Sequence, residues 1–112
     1  MTEVRHPGLA AGRWREFSLA AQLGNVGSEV SRTRSWRDRN PRIAQGAFER
    51  ALELMDLTLA DPKHRGARRR LRELARVREV LVDFFAGSNE YGSTGESIQR
   101  YFDAYAVAAR RA

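Results

Sequence analysis

A chain of 112 residues, 42% hydrophobic and 30% charged, is long enough for one globular domain with a single core but not for two. Its net charge is +6, carried almost entirely by arginine, because Lys63 is the sole lysine among 20 basic residues. The lack of cysteine excludes disulfides and thiolate metal sites, and no apolar run approaches the ~20 residues of a membrane span.

Residues 1–17 read as an N-terminal arm, interrupted by Pro7, Gly8 and Gly12, with Trp14 and Phe17 tucked against the domain of residues 18–112. The opening MTEVRHPGLAAGRWREF lacks the apolar middle of a signal peptide, so a cytoplasmic protein is expected. A first helix is predicted from about Ser18 to Trp36, where Leu19, Leu23, Val26 and Val30 follow one face. Gly24 and Gly27 lie beside that face. Each glycine costs a helix roughly 1 kcal/mol against alanine, so the pair is expected to admit a closely packed neighbour.

Asn40 and Pro41 open the second helix, as a side-chain cap followed by a residue that needs no amide donor. It runs to about Leu59 and buries Ile43, Ala47, Phe48, Ala51, Leu52, Met55 and Leu59, with Glu49, Glu53 and Asp56 on the other side. Asp61-Pro62 repeats the cap-then-proline signal, so the chain bends at DPKHRG and the third helix begins either directly after Asp61 or at Gly66. Leu71, Leu74, Leu81 and Phe85 form its stripe, widened by Val77, Val82 and Phe84. That stripe predicts the largest share of the core. Gly87 is expected to close this helix as a left-handed cap, and Ser93 with Glu96 to cap a fourth helix over about 94–110. There Ile98, Tyr101, Phe102, Tyr105 and Ala109 face inward. No alternating strand pattern or internal repeat is present. Four helices with short connections predict an all-α fold, an antiparallel up-down-up-down four-helix bundle with a short N-terminal arm.

Little in this set supports catalysis. Di-metal carboxylate bundles need Glu-x-x-His pairs on facing helices, and the two histidines, His6 and His64, follow no such pattern. The all-helical HEPN nucleases place an arginine several residues before a histidine, and no arginine stands at that distance before His64. Gly24 and Gly27 lack the Lys-Ser or Lys-Thr of a phosphate-binding loop, and no nucleophile–base–acid set can be assembled. A non-enzymatic protein without metal or cofactor is expected.

Arg78 lies between Leu74 and Leu81 on the core stripe, where a guanidinium needs a carboxylate. A buried polar network of Arg78 with Glu29, Asp56 and Asn25 is the expected answer, Glu29 being favoured over Asp56 as the partner; a ligand or partner site built from the same groups, and a side chain that snorkels to the rim, are the alternatives. Losing Arg78 should then cost roughly 3–5 kcal/mol, because the opposing charge is stranded.

The remaining arginines fall into two groups. Arg32, Arg34, Arg37, Arg39 and Arg42 oppose only Asp38, a balance of +4, and the stretch 61–80 has eight basic and three acidic residues, a balance of +5. In the expected bundle these groups sit at opposite ends, and Arg13, Arg15, Arg110 and Arg111 join the second. Arg65, Arg68, Arg69, Arg70, Arg72 and Arg76 are therefore the candidate nucleic-acid-binding residues, since the guanidinium fork suits phosphate. A solvated surface and a GC-rich codon bias towards arginine are the competing explanations.

The phrases QLGNVGSEVSR (22–32), AFERALELMDLTLADPK (47–63), REVLVDFF (78–85) and NEYGST (89–94) resemble a family of small bacterial helical proteins; the resemblance implies no activity. In helix order, size and charge the chain is also similar to the four-helix proteins encoded in ribosomal RNA intervening sequences and to the accessory proteins of diversity-generating retroelements. That likeness implies a basic bundle in a ring-like oligomer, the retroelement proteins binding nucleic acid and a reverse transcriptase. The expectation is a homo-oligomer that binds nucleic acid, RNA or DNA, or a ribonucleoprotein. The alternative is an interaction module for an acidic protein partner.

Overall fold

The computed structural model describes residues 12–111, and every regular element among them is helical. Residues 1–11, which hold most of the expected arm with His6, Pro7 and Gly8, lie outside the described residues, as does Ala112. After a 3-10 turn at Arg13–Glu16 come four long helices and one short one: α1 (Leu19–Trp36), α2 (Pro41–Leu59), α3 (Pro62–Arg65), α4 (Arg68–Ala86) and α5 (Gly95–Arg111). No described helix is long and apolar enough to cross a membrane.

Local chemistry sets most of these boundaries. Ser18 accepts from the Ala21 amide to start α1, and Asn40 accepts from Ile43 with Pro41 behind it to start α2. Asp61 caps α3 through the Lys63 amide. The bend at DPKHRG thus contains a helical turn of its own, and α4 waits until Arg68.

Two expected caps differ. Gly87 does end α4, but its φ of −109° and ψ of −156° are extended, not left-handed. Asp83 provides the reason: its carbonyl accepts from the Gly87 and Asn89 amides and its carboxylate from those of Glu90 and Tyr91. The left-handed residues are Asn89 and Gly92, further along the loop. The box that opens α5 lies one residue later than expected. Thr94 and Ser97 exchange side-chain-to-amide hydrogen bonds of 2.9 and 3.1 Å, which leaves Glu96 to reach Arg34 across the fold.

α1 is the centre of the molecule, packing against both α2 and α5, while α4 packs on α2. The contacts Gln22–Asp61 and Glu29–Arg50 set the start of α1 beside the end of α2. Gly24 lies against Ala106 and Arg34 pairs with Glu96, which sets the same end of α1 beside the end of α5. Asp56–Arg78 and Phe48–Phe85 join α2 to α4. The third predicted helix therefore carries less of the core than its stripe suggests: only Leu74 and Leu81 of α4 are fully buried. Leu23, Val26 and Val30 of α1, with Phe48, Ala51, Leu54 and Met55 of α2, form the larger part.

Glycine makes this centre possible. A Cβ on Gly27 would stand 2.6 Å from the Phe102 Cβ, and one on Gly24 would stand 3.1 Å from the Ala106 Cα. The obstructing atoms belong to the root of the α5 side chains, which cannot swing away. Gly27→Ala gains about 1 kcal/mol of helix propensity but forces the helices apart. A net loss of about 1–3 kcal/mol is expected from overpacking, read as a lowered urea midpoint. An unchanged or raised midpoint would show that α5 yields freely.

Candidate nucleic-acid interface

The end of the fold where α2 turns into α3 and α4 is built on a polar network that links four segments. Gln22 Nε2 donates to Asp61 Oδ2 at 2.7 Å and to the Trp14 carbonyl at 2.9 Å. With its amide nitrogen so engaged, Gln22 presents Oε1 to His64 Nε2 at 2.7 Å, so that ring nitrogen carries the proton. Nδ1 faces Arg70 Nη1 at 3.4 Å, and because a guanidinium can only donate, Nδ1 is the accepting nitrogen of a neutral ring. Trp14 Nε1 donates to Thr58 Oγ1, which itself donates to the Leu54 carbonyl. Lys63 Nζ reaches Asp61 Oδ2 and the carbonyls of Arg15 and Phe17, all within 2.8 Å.

Burial penalises charge in this network, and hydrogen bonding decides which groups keep theirs. Burial alone would raise the Asp61 carboxyl, but hydrogen bonds from Lys63 and Gln22 outweigh it and hold the group down at about 2. The His64 ring is pushed below its ordinary value by burial. Asp61 works in the opposite direction, and the charges of Arg70 and Lys63 reinforce the burial. The network fixes the segment 12–18, the start of α1 and the whole of α3. It thereby sets the direction in which α4 leaves.

On this base stand the six predicted arginines. Arg65, Arg68, Arg69, Arg70, Arg72 and Arg76 are all exposed. Arg70 touches His64, and the Arg76 guanidinium lies 5.6 Å from the centre of the Tyr91 ring. Among the described residues, no carboxylate lies within ion-pair distance of any of the six. Arg13, Arg15, Arg110 and Arg111 are exposed as well. Ala67, the residue before α4, provides no side-chain cap, so the first amides of the helix remain open to solvent or an anion.

The opposite end has arginines too, but they are engaged. Arg32 pairs with Glu29 at 3.0 Å and Arg34 with Glu96 at 3.5 Å. Arg37 lies over Phe84 and Phe85, and Arg39 over Trp36. Of that group only Arg42 has no such partner among the described residues.

The expected buried network does not assemble. Arg78 pairs with Asp56, through contacts of 2.7 and 3.3 Å, and not with Glu29. The pair is open to water, with side-chain exposures of 36% and 57%. An exposed ion pair is worth about 0–1 kcal/mol, well below the loss expected for a buried one. Glu29 is held instead by Arg32 and Arg50. Asn25 is exposed and bonds to the Ala21 carbonyl in its own helix. Among the described residues the buried polar side chains are Gln22, Asp61 and His64, with Thr58, Thr33 and Glu29. A signal was present for Gln22 alone, which stands beside Leu23 and one turn before Val26 next to the apolar face, and so required internal partners.

A second feature adjoins the arginines. A groove of about 220 Å³ lies between α4 and α5, lined by Val77, Val80, Ile98, Phe102 and Tyr101. Among the described residues no group of His, Asp or Glu side chains could hold a metal ion. No family model matches the chain, and neither a curated protein nor a solved structure matches it.

Proposed function

We propose that the protein is a non-enzymatic, antiparallel up-down-up-down four-helix bundle of the cytoplasm that binds nucleic acid, RNA or DNA, alone or in a ribonucleoprotein. The observation behind this reading is the contrast between its two basic ends. At one, all the arginines but Arg42 pair with carboxylates or cover aromatic rings; at the α3–α4 end Arg76 lies beside Tyr91 and Arg70 beside His64, but all six stand exposed without carboxylate partners. Cations kept free of carboxylates retain their full attraction for phosphate, and a rigid network beneath them holds the surface in place. The resemblance to basic bundles of the retroelement and intervening-sequence type points the same way.

The test is direct titration of a labelled oligonucleotide at several salt concentrations. Binding that weakens with salt by about 0.7–0.9 in log K per unit of log salt for each phosphate contact supports the reading. No binding at low salt, together with capture of an acidic protein, would favour the alternative of an acidic protein partner.

Self-association belongs to the same proposal. Ala104, Val107 and Ala108 are exposed on α5 at helical spacing, an apolar strip on the outer side of that helix. Light scattering at tens of micromolar is expected to give a mass above the 12.7 kDa of one chain. Val107→Asp should return it to the monomer. A monomeric wild type contradicts the oligomer and leaves the phosphate surface unaffected.

A further inference from the structure

We infer that the groove between α4 and α5 receives an unpaired base, so that the nucleic acid bound here is single-stranded. This rests on the proposed nucleic-acid function and narrows it from any polyanion to an open strand.

Arg76 joins the two features. It lines the groove on one side, and on the other it packs against Tyr91, which is 47% exposed. Arg72 and Arg68 continue from it at one-turn spacing towards the start of α4, forming an unbroken row that carries no ion pair among the described residues. A strand whose phosphates follow that row has its bases turned towards the groove or the Tyr91 ring. This is the arrangement by which single strands are held: a basic track beside apolar and aromatic surfaces for the bases.

The groove itself suits a flat ring better than a helix from a partner protein. Its floor of Val77, Val80 and Ile98 is apolar, and Glu73 and Arg76 at the rim offer a hydrogen-bond acceptor and a donor for a base edge. The Tyr101 hydroxyl at the wall is buried without a well-formed hydrogen bond, and burial, with Tyr105 and Glu73 nearby, raises its pKa. At about 220 Å³ the groove is short, so it suits one ring system and not several turns of helix. A duplex keeps its bases stacked inside and can use only the arginine row.

The experiment compares a labelled single strand with its duplex, by fluorescence anisotropy at one salt concentration. Val80→Trp fills the groove from a half-buried position, and Tyr91→Ala removes the outer ring while the Tyr91 amide keeps its bond to Asp83. Each variant should weaken single-strand binding by about 5- to 100-fold, the loss of one stacked base, and leave duplex binding unchanged. Melting curves establish that both are folded; should Val80→Trp not fold, Val80→Ala, which strips part of the groove's apolar lining, takes its place with the same direction of effect. Folded variants that bind the single strand like wild type overturn the inference and leave the arginine surface standing. A wild type that binds neither form overturns the proposed function as well. A Val80→Trp variant that changes the oligomeric mass but not single-strand affinity assigns the groove to a second copy of the chain, and overturns the inference too.

Discussion

Replacing Trp14 by alanine is expected to destabilise the protein by about 3–5 kcal/mol, the cost of emptying a large aromatic site. Trp14 is 1% exposed although it precedes the first long helix by several residues. Its ring meets Phe17 edge-on at 5.5 Å, and its Nε1 donates to Thr58 on α2. Its carbonyl accepts from Gln22, so the segment before α1 is a working part of the core. The loss should lower Tm by more than about 10 °C. Trp14→Phe, which keeps most of the packing and removes the indole donor, should cost about 1–2 kcal/mol. A Trp14→Ala variant within about 0.5 kcal/mol of wild type, as for a surface site, would show that residues 12–17 do not stabilise the helices.

The second large effect is expected at Asp61. Asp61→Ala removes the acceptor of Gln22 Nε2, of the Lys63 amide and of the Lys63 ammonium together, while Gln22 stays fully buried. A loss of about 3 kcal/mol at neutral pH follows from stranding donors on a buried charge. The pH dependence separates this from a packing defect. The Asp61 carboxyl is held at about 2 in the folded protein against 3.8 when free, so the unfolded chain binds more protons between those values. Its contribution is present above 3.8 and disappears as pH falls towards about 2, a step of about 2 kcal/mol. His64 is also lowered, from 6.5, so its contribution is present above 6.5 and is lost as pH falls below that. Wild-type urea midpoints should therefore decline in two windows on acidification. Asp61→Ala should abolish the lower step. The same acid decline in wild type and variant would mean that Asp61 is not a charged member of the network.

Element boundaries were the most legible part of the fold, because a cap or a proline acts on the nearest few amides. Asn40-Pro41 and Asp61-Pro62 start helices where the sequence places them. The burial of α4 was less legible for a geometrical reason. Its stripe shows which face is apolar but not how many neighbours cover that face. α2 covers one side, and the groove leaves Val77 and Val80 half-buried. Gly24 and Gly27 were readable as a contact surface, though not as the seam with α5. The choice of ion-pair partners was not legible at all. Arg78 could reach either Glu29 or Asp56 by helical register, and the crossing of α2 and α4 decides for Asp56. Gln22 meets Asp61 and His64 across separations of about 40 residues, so no local pattern announces its partners. The exposure of Arg68, Arg69, Arg72 and Arg76 was readable from their position off the apolar stripe, whereas Arg70 stands on it and meets His64; their lack of acidic partners was not readable.

The proposal that the α3–α4 end is the phosphate-contacting surface is tested most directly by Arg68, Arg69 and Arg72. All three are exposed and none supports the network beneath, whereas Arg70 touches His64. The measurement is oligonucleotide affinity as a function of salt, for wild type and for the variant with these three arginines changed together to glutamine. The variant should bind more weakly at low salt, with the slope of log K against log salt reduced in magnitude by about 2, and with Tm nearly unchanged. Equal affinity and equal slope at every salt concentration would contradict the account.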